Sequence, residues 1–139
     1  MAEAERTTAP RKRKAPKPSP QITVAVHAAE DKKAENIVVL DLRKASGFTD
    51  CFVICSGGNV RQVRAIADSV METLAVEGIK PAHIEGYDRA DWILLDYFDF
   101  VVHVFTPETR TFYSLERLWG NAERVDVLSL PEGARPTTR

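Results

Sequence analysis

The chain has 139 residues, 44% of them hydrophobic, and a formal net charge of −1. That length and apolar fraction suit one domain with tails and a single core, and no apolar run approaches the ~18 residues of a membrane span. The near-balance of charge hides a split: residues 1–20 hold six Lys/Arg against two acids, and the rest holds thirteen against eighteen. The folded part is therefore acidic, which repels nucleic-acid backbones and steers toward basic partners.

Residues 1–20 read as a disordered, basic Pro/Lys-rich arm with no hydrophobic period. No apolar segment follows it, so it is not a secretory signal, and Glu3, Glu5 and the Pro/Lys run fit a solvated arm better than a transit peptide. Ile22, Val26 and Ala29 recur at helical spacing and predict a helix over about 21–33. Asn36 to Leu42 is short and β-branched and predicts a strand. Ser46-Gly47 then signals a turn. Thr49 to Ser56, almost free of charge, predicts a central strand covered on both faces.

Gly57-Gly58 end that strand. Asn59 with Gln62 three residues on resembles a capping box. Val60, Val63, Ile66, Ala67, Val70, Met71 and Leu74 form one helical stripe, and Gly78 suits a left-handed helix end. Ile79 to Glu85 predicts a short edge strand, because Pro81 lacks a donor. Trp92 to Asp96 and Phe100 to Phe105 predict an antiparallel hairpin around Tyr97-Phe98-Asp99. Thr106, Pro107 and Glu108 carry the signals of a helix start. Phe112, Leu115, Leu118 and Trp119 would be that helix's apolar side, up to Gly120.

The expected domain spans residues 21–120. The expected tail, 121–139, has an apolar stretch Val125–Leu130 that packs back, with disorder from Pro131. The expected order is α-β-β-α-β-β-β-α, an α/β (α+β) fold with a mixed five-stranded sheet flanked by helices. Its strand–helix–strand unit around residues 59–77 should make a parallel crossover, with the other neighbours antiparallel.

The candidate chemistry is thin. Ser56-Gly57-Gly58 before a helix could cradle a phosphate, but no Walker lysine and no complete GxGxxG accompany it. The strand–Gly turn–helix opening is shared with nucleotidyltransferases, which need two strand carboxylates at i and i+2 for their metals. No strand here carries that pair, and Asp96 and Asp99 straddle a turn. His27, His83 and His103 fall in different elements with no metal-ligand spacing. His103 alternates with Val101 and Phe105 and reads as a structural or interface histidine. Cys51 and Cys55 lie four apart on one strand, about 13 Å, too far for a disulfide. Two buried free thiols suit a reducing cytosol. Glu85, Asp88, Asp91, Asp96 and Asp99 set five acids against Arg89 alone. They form either a solvated edge or a docking face for a basic protein with Trp92 as anchor.

A set of residues resembles a known family. It comprises Thr49-Asp50-Cys51-Phe52-Val53-Ile54-Cys55-Ser56-Gly57, Arg61-Gln62-Val63, Glu85-Gly86, Asp91-Trp92-Ile93-Leu94-Leu95-Asp96-Tyr97 and Val101-Val102-His103-Val104-Phe105. Arg110, Phe112-Tyr113, Leu115-Glu116 and Leu118-Trp119 complete it. In this order and spacing the chain resembles the ribosomal silencing factor family, RsfS, also called Iojap, from about Ile22 to Trp119.

The resemblance implies a nucleotidyltransferase-like fold without the catalytic carboxylates, no enzyme activity, no cofactor, no metal and a place in the cytoplasm. It implies binding to the large ribosomal subunit through ribosomal protein fourteen of that subunit, near the face that meets the small subunit. Subunit association would then be blocked and translation repressed when nutrients are scarce. Organellar relatives act in large-subunit assembly. Carried onto this chain, the partner-binding residues are Trp92, Asp91 and Asp96, with Glu85, His103 and Tyr113 added. The arm could contact ribosomal RNA, no membrane is involved, and a homodimer of the free protein stays open. The alternatives are a large-subunit assembly factor, or a nucleotidyltransferase-like enzyme with a non-standard site.

Overall fold

The computed structural model describes residues 19–45, 49–127 and 130. The expected Ser46-Gly47 turn, and most of the arm and tail, lie outside those residues. The chain runs α1 (Pro20–Asp31), β1 (Glu35–Asp41), β2 (Cys51–Ser56), α2 (Val60–Val76), β3 (His83–Glu85), β4 (Trp92–Asp96) and β5 (Phe100–Phe105). It ends with α3 (Pro107–Tyr113), α4 (Leu115–Leu118) and β6 (Glu123–Val125). The strands make one six-stranded mixed sheet in the order β3-β4-β5-β2-β1-β6. β2 and β5 are parallel, and every other neighbouring pair is antiparallel.

Two features of the sheet differ from expectation. A sixth strand, Glu123–Val125, pairs with Val39–Asp41 at the far edge. Three residues of Glu-Arg-Val carry no readable period, so only the partner strand reveals it. The crossover through α2 also does not return beside β2. It lands on β3 at the opposite edge, and β5 takes the place beside β2. Burial explains the exchange: β2 and β5 are buried at every position, whereas β3 is exposed at all three. A strand with two apolar faces belongs in the centre, and one following Pro81 belongs at an edge.

The helix ends follow their local chemistry. The Asn59 Oδ1 accepts from the Gln62 amide at 2.9 Å, and the Gln62 Oε1 accepts from the Gly58 amide at 2.7 Å, a variant of the capping box in which Gln62 reaches the residue before the cap. The Gln62 Nε2 also donates to the Lys32 and Lys33 carbonyls, tying the start of α2 to the end of α1. At the other end Gly78 sits at φ 79°. The Gly78 and Ile79 amides donate to the Ala75 and Leu74 carbonyls, a Schellman closure.

α1 and α2 cover one face of the sheet, and Val63, Ile66, Ala67, Val70 and Leu74 are buried. α1 is buried along the whole of 22–29, so its small residues let it wedge in rather than lie across the surface. Val125, Val127 and Leu130 pack on this core, as expected of that apolar stretch. Cys51 and Cys55 are free and buried, and burial pushes each thiol up to about 12.

The last helix is broken. Ser114 adopts φ 48°, ψ 55°, splitting the expected continuous helix into α3 and α4. Arg110 spans the break: its Nη1 donates to Ser56 Oγ at 2.9 Å, and its Nε and Nη2 donate to Glu116 Oε2 at 3.1 and 2.6 Å. Residues six apart lie on different sides of a straight helix, so this clamp requires the break. The consequence is large. Leu115 and Trp119 pack on the sheet, but Phe112 and Leu118, expected on the apolar side, are 79% and 71% exposed.

Candidate interaction surface

The two faces of the sheet are covered unequally. Cys51, Val53, Cys55, Ile93, Leu95, Phe100, Val102 and Val104 belong to the core beneath α1 and α2. The opposite face carries Leu40, Leu42, Phe52, Ile54, Val101 and Phe105, with Leu115 upon them and Trp92, Leu94 and Trp119 only partly buried. α3, which follows β5, buries none of its residues. This face is therefore left open toward β3 and β4.

Strand register places the candidate residues on that open face. Paired residues point the same way and alternate residues share a face. Trp92 lies opposite Phe105, Leu94 opposite both Glu85 and His103, and Asp96 opposite both His83 and Val101. Glu85, Trp92, Asp96 and His103 therefore share it. Tyr113 reaches it from the end of α3, its ring 4.7 Å from that of Trp92. Asp91 stands just before β4, where its carbonyl accepts from the Thr106 amide and its carboxylate meets Arg89 at 3.1 Å. At the rim, Asp96 Oδ1 accepts from the Phe98 amide at 2.9 Å and Glu85 pairs with His83.

The roles within this group differ. Trp92 is half-buried and central, touching Phe105 at 4.9 Å as well as Tyr113. His103 is only 3% exposed, so it reaches no partner directly. Its Nδ1 accepts from the Trp92 indole N–H at 3.1 Å, and burial pushes its pKa down to about 3, keeping the imidazole neutral. Phe112, whose ring stands edge-on to Tyr113 at 5.0 Å, extends the aromatic surface outward. Sequence reasoning assigned Phe112 to the core. Adjacent aromatics on one short helix cannot both face inward, and Phe112-Tyr113 carried that signal.

The other candidate chemistry finds its partners inside the chain. At the Gly57-Gly58 turn, the Gly57 amide donates to the Phe105 carbonyl and the Gly58 amide to Gln62 Oε1, while the Gln62 amide, in the first turn of α2, donates to Asn59 Oδ1. A phosphate would have to displace these bonds. Asp68 accepts from the Tyr87 hydroxyl at 2.9 Å. Asp99 does not join Asp96; it lines a cavity of about 220 Å³ at the end of the sheet with Asp41 and Asp50. Among the described residues, no group of three or more His, Cys, Asp or Glu could hold a metal ion. No helix among them is long and apolar enough to cross a membrane.

Comparison with known proteins gives this surface a context. The family model described as ribosomal silencing factor during starvation matches residues 14–139. The chain is 42% identical to ribosomal silencing factor RsfS of Halalkalibacterium halodurans over 106 residues, covering 76% of this chain and 91% of that protein. It is 33% identical to the Mus musculus protein named mitochondrial assembly of ribosomal large subunit protein 1, covering 70% of this chain and 44% of that one. A crystal structure from Bacillus halodurans superposes with a TM-score of 0.68 at 41% identity, covering 76% of this chain and 95% of that one. One from Chromobacterium violaceum gives 0.71 at 32% identity, covering 81% and 93%.

Proposed function

The chain belongs to the ribosomal silencing factor (RsfS) family, and from that premise we propose that its open sheet face docks on the large ribosomal subunit. The contact is ribosomal protein fourteen of that subunit. The bound protein blocks association with the small subunit and so represses translation, by occupancy rather than by catalysis.

The observation that carries this reading is the face itself. Trp92, half-buried, sits among Tyr113, Phe105 and Leu94, with Glu85, Asp91 and Asp96 around it. An aromatic anchor inside a polar rim is the usual anatomy of a protein interface. Ribosomal proteins are basic as a class, so an acidic rim would speed encounter while the apolar centre slows release. The basic residues of the arm add contacts to ribosomal RNA. A second reading, action during large-subunit assembly, is favoured by the name of the mouse relative and would use the same surface at an earlier time.

Co-sedimentation with purified large subunits, small subunits and joined ribosomes tests the proposal. Selective binding to large subunits, with joining suppressed in proportion to occupancy, is expected. Equal binding to every particle, or to none, refutes it. Accumulation of large-subunit precursors on gene deletion, with joining unaffected by the purified protein, would favour the assembly reading.

A further inference from the structure

We propose that His103 is a positioning residue: it holds the Trp92 indole with its N–H turned into the sheet, so the partner group that meets Trp92 is apolar. This rests on the docking reading above.

His103 occupies an apolar slot. It lies between Leu94 and Ile54 in the sheet, edge-on to Phe52 at 4.4 Å and stacked beside Phe105 at 6.2 Å. Its Nε2 is buried and has no hydrogen-bond partner. An unpaired polar atom in such a place is costly, and an aliphatic or phenyl side chain would fill the slot without that cost. Only the Nδ1 bond to Trp92 Nε1 gives the imidazole a purpose that those side chains lack.

The direction of that bond is fixed by chemistry. An indole N–H only donates, so Nδ1 is the acceptor and the imidazole proton sits on Nε2. Burial disfavours the cation, so the acceptor persists through the physiological pH range. Phe105 and Tyr113 pack against the Trp92 ring, but ring packing alone does not distinguish the indole from its flipped setting. The hydrogen bond does. The side chain is thereby ordered before binding, which lowers the entropy lost on association. The single indole donor is also already used, so no polar group of a partner is needed to satisfy it.

The test is a double-mutant cycle read by large-subunit binding, with the Trp92 indole ¹⁵N–¹H resonance followed by NMR. Trp119→Phe assigns the two indole signals. In the wild type the Trp92 indole proton should exchange slowly with solvent. His103→Phe should move that resonance, speed its exchange and weaken binding about fivefold, the scale of one hydrogen bond. His103→Asn, whose carboxamide oxygen can stand near the Nδ1 position, should recover most of both. In a Trp92→Phe background, His103→Phe should weaken binding no further.

Equal losses in both backgrounds would make His103 merely structural and overturn the proposal. So would a Trp92 indole proton in the wild type that exchanges as freely as an exposed one, which needs no variant to fold. If wild type binds no large subunit, the docking reading fails, and the indole resonance still decides whether the lock exists.

Discussion

Replacing Trp92 by alanine tests both the surface and its energetics. The substitution removes the ring packing on Phe105 at 4.9 Å and Tyr113 at 4.7 Å, and it strands the His103 acceptor. Truncating a fully buried large aromatic costs roughly 3–5 kcal/mol. Trp92 is half-buried, so a loss of about 2 kcal/mol in stability is expected, lowering Tm by roughly 8 °C for a domain of this size. The domain then remains folded at 20 °C. Binding to the large subunit should fall by about 2 kcal/mol, near 30-fold, if Trp92 is the anchor. Tm by calorimetry and affinity by quantitative co-sedimentation separate the two effects. A folded Trp92→Ala that binds within twofold of wild type would show that Trp92 serves packing alone. Trp92→Phe keeps most of the ring packing and should lose less than ~1 kcal/mol of stability.

Other outcomes follow from local geometry. At Gly86, φ is 78° and an added Cβ would lie 2.1 Å from the Trp92 carbonyl oxygen, so Gly86→Ala combines backbone strain with an overlap no side-chain rotation relieves. A loss of at least ~3 kcal/mol is expected from the urea midpoint, against ~1 kcal/mol for Gly78→Ala, which has the same strain in open space. Equal losses would refute the steric argument. Burial raises the Glu116 carboxyl, but the hydrogen bonds and charge of Arg110 outweigh it and leave the folded pKa below 4.5. Its contribution is therefore present above the unfolded pKa and lost as pH falls through the folded one. Glu116→Gln should cost about 1–2 kcal/mol at pH 7, and the cost should shrink as pH falls through the folded pKa, read by urea unfolding across the acid range. Deleting residues 1–18 should lower the slope of log affinity against log salt by about 0.7–0.9 for each phosphate that the arm neutralises. An unchanged slope would show that the arm neutralises none.

The parts of the fold that could be read from sequence are those governed by nearest neighbours. Asn59 and Gln62 announced the start of α2 and Gly78 its end, because each satisfies backbone groups within a few residues. Thr106-Pro107 announced the start of α3 through proline's fixed φ and missing N–H, the Thr106 side chain making no cap bond. The central position of β2 followed from its lack of charge. The parts that could not be read depend on interactions distant in sequence. The break at Ser114 is held by Arg110 reaching Ser56, 54 positions earlier, and nothing in the helical period of residues 107–120 hints at it. β6 exists because Val39–Asp41 offer it an edge. The site divides in the same way. Trp92, Asp96 and Glu85 stood out by residue type; alternation along β4 places Trp92 and Asp96 on one face, and Glu85 joins them only through its pairing with Leu94. The inward role of His103 required the register; the Phe112-Tyr113 pair signalled that one of the two turns outward, and the helix break decided which.

Unequal cover of the sheet also predicts a separation of stability from binding along a single strand. Leu94 and Leu95 are adjacent on β4 and point to opposite faces. Leu95 is fully buried beneath the helices, and Leu94 is half-buried on the open face beside Trp92. Leu95→Ala should cost about 3 kcal/mol of stability by transfer and cavity terms, yet bind normally in the folded fraction, because nothing on the open face has changed. Leu94→Ala should cost only about 1 kcal/mol of stability, since its environment is already partly water. It should nevertheless weaken large-subunit binding by about 1 kcal/mol, roughly fivefold. Both variants can be compared at 10 °C, where each is expected to be folded. If Leu95→Ala weakens binding as much as Leu94→Ala does, affinity follows the integrity of the whole domain, and the open face loses its claim to be the docking surface. If the effects separate as expected, the helix-covered face of β4 carries stability and its open face carries the partner.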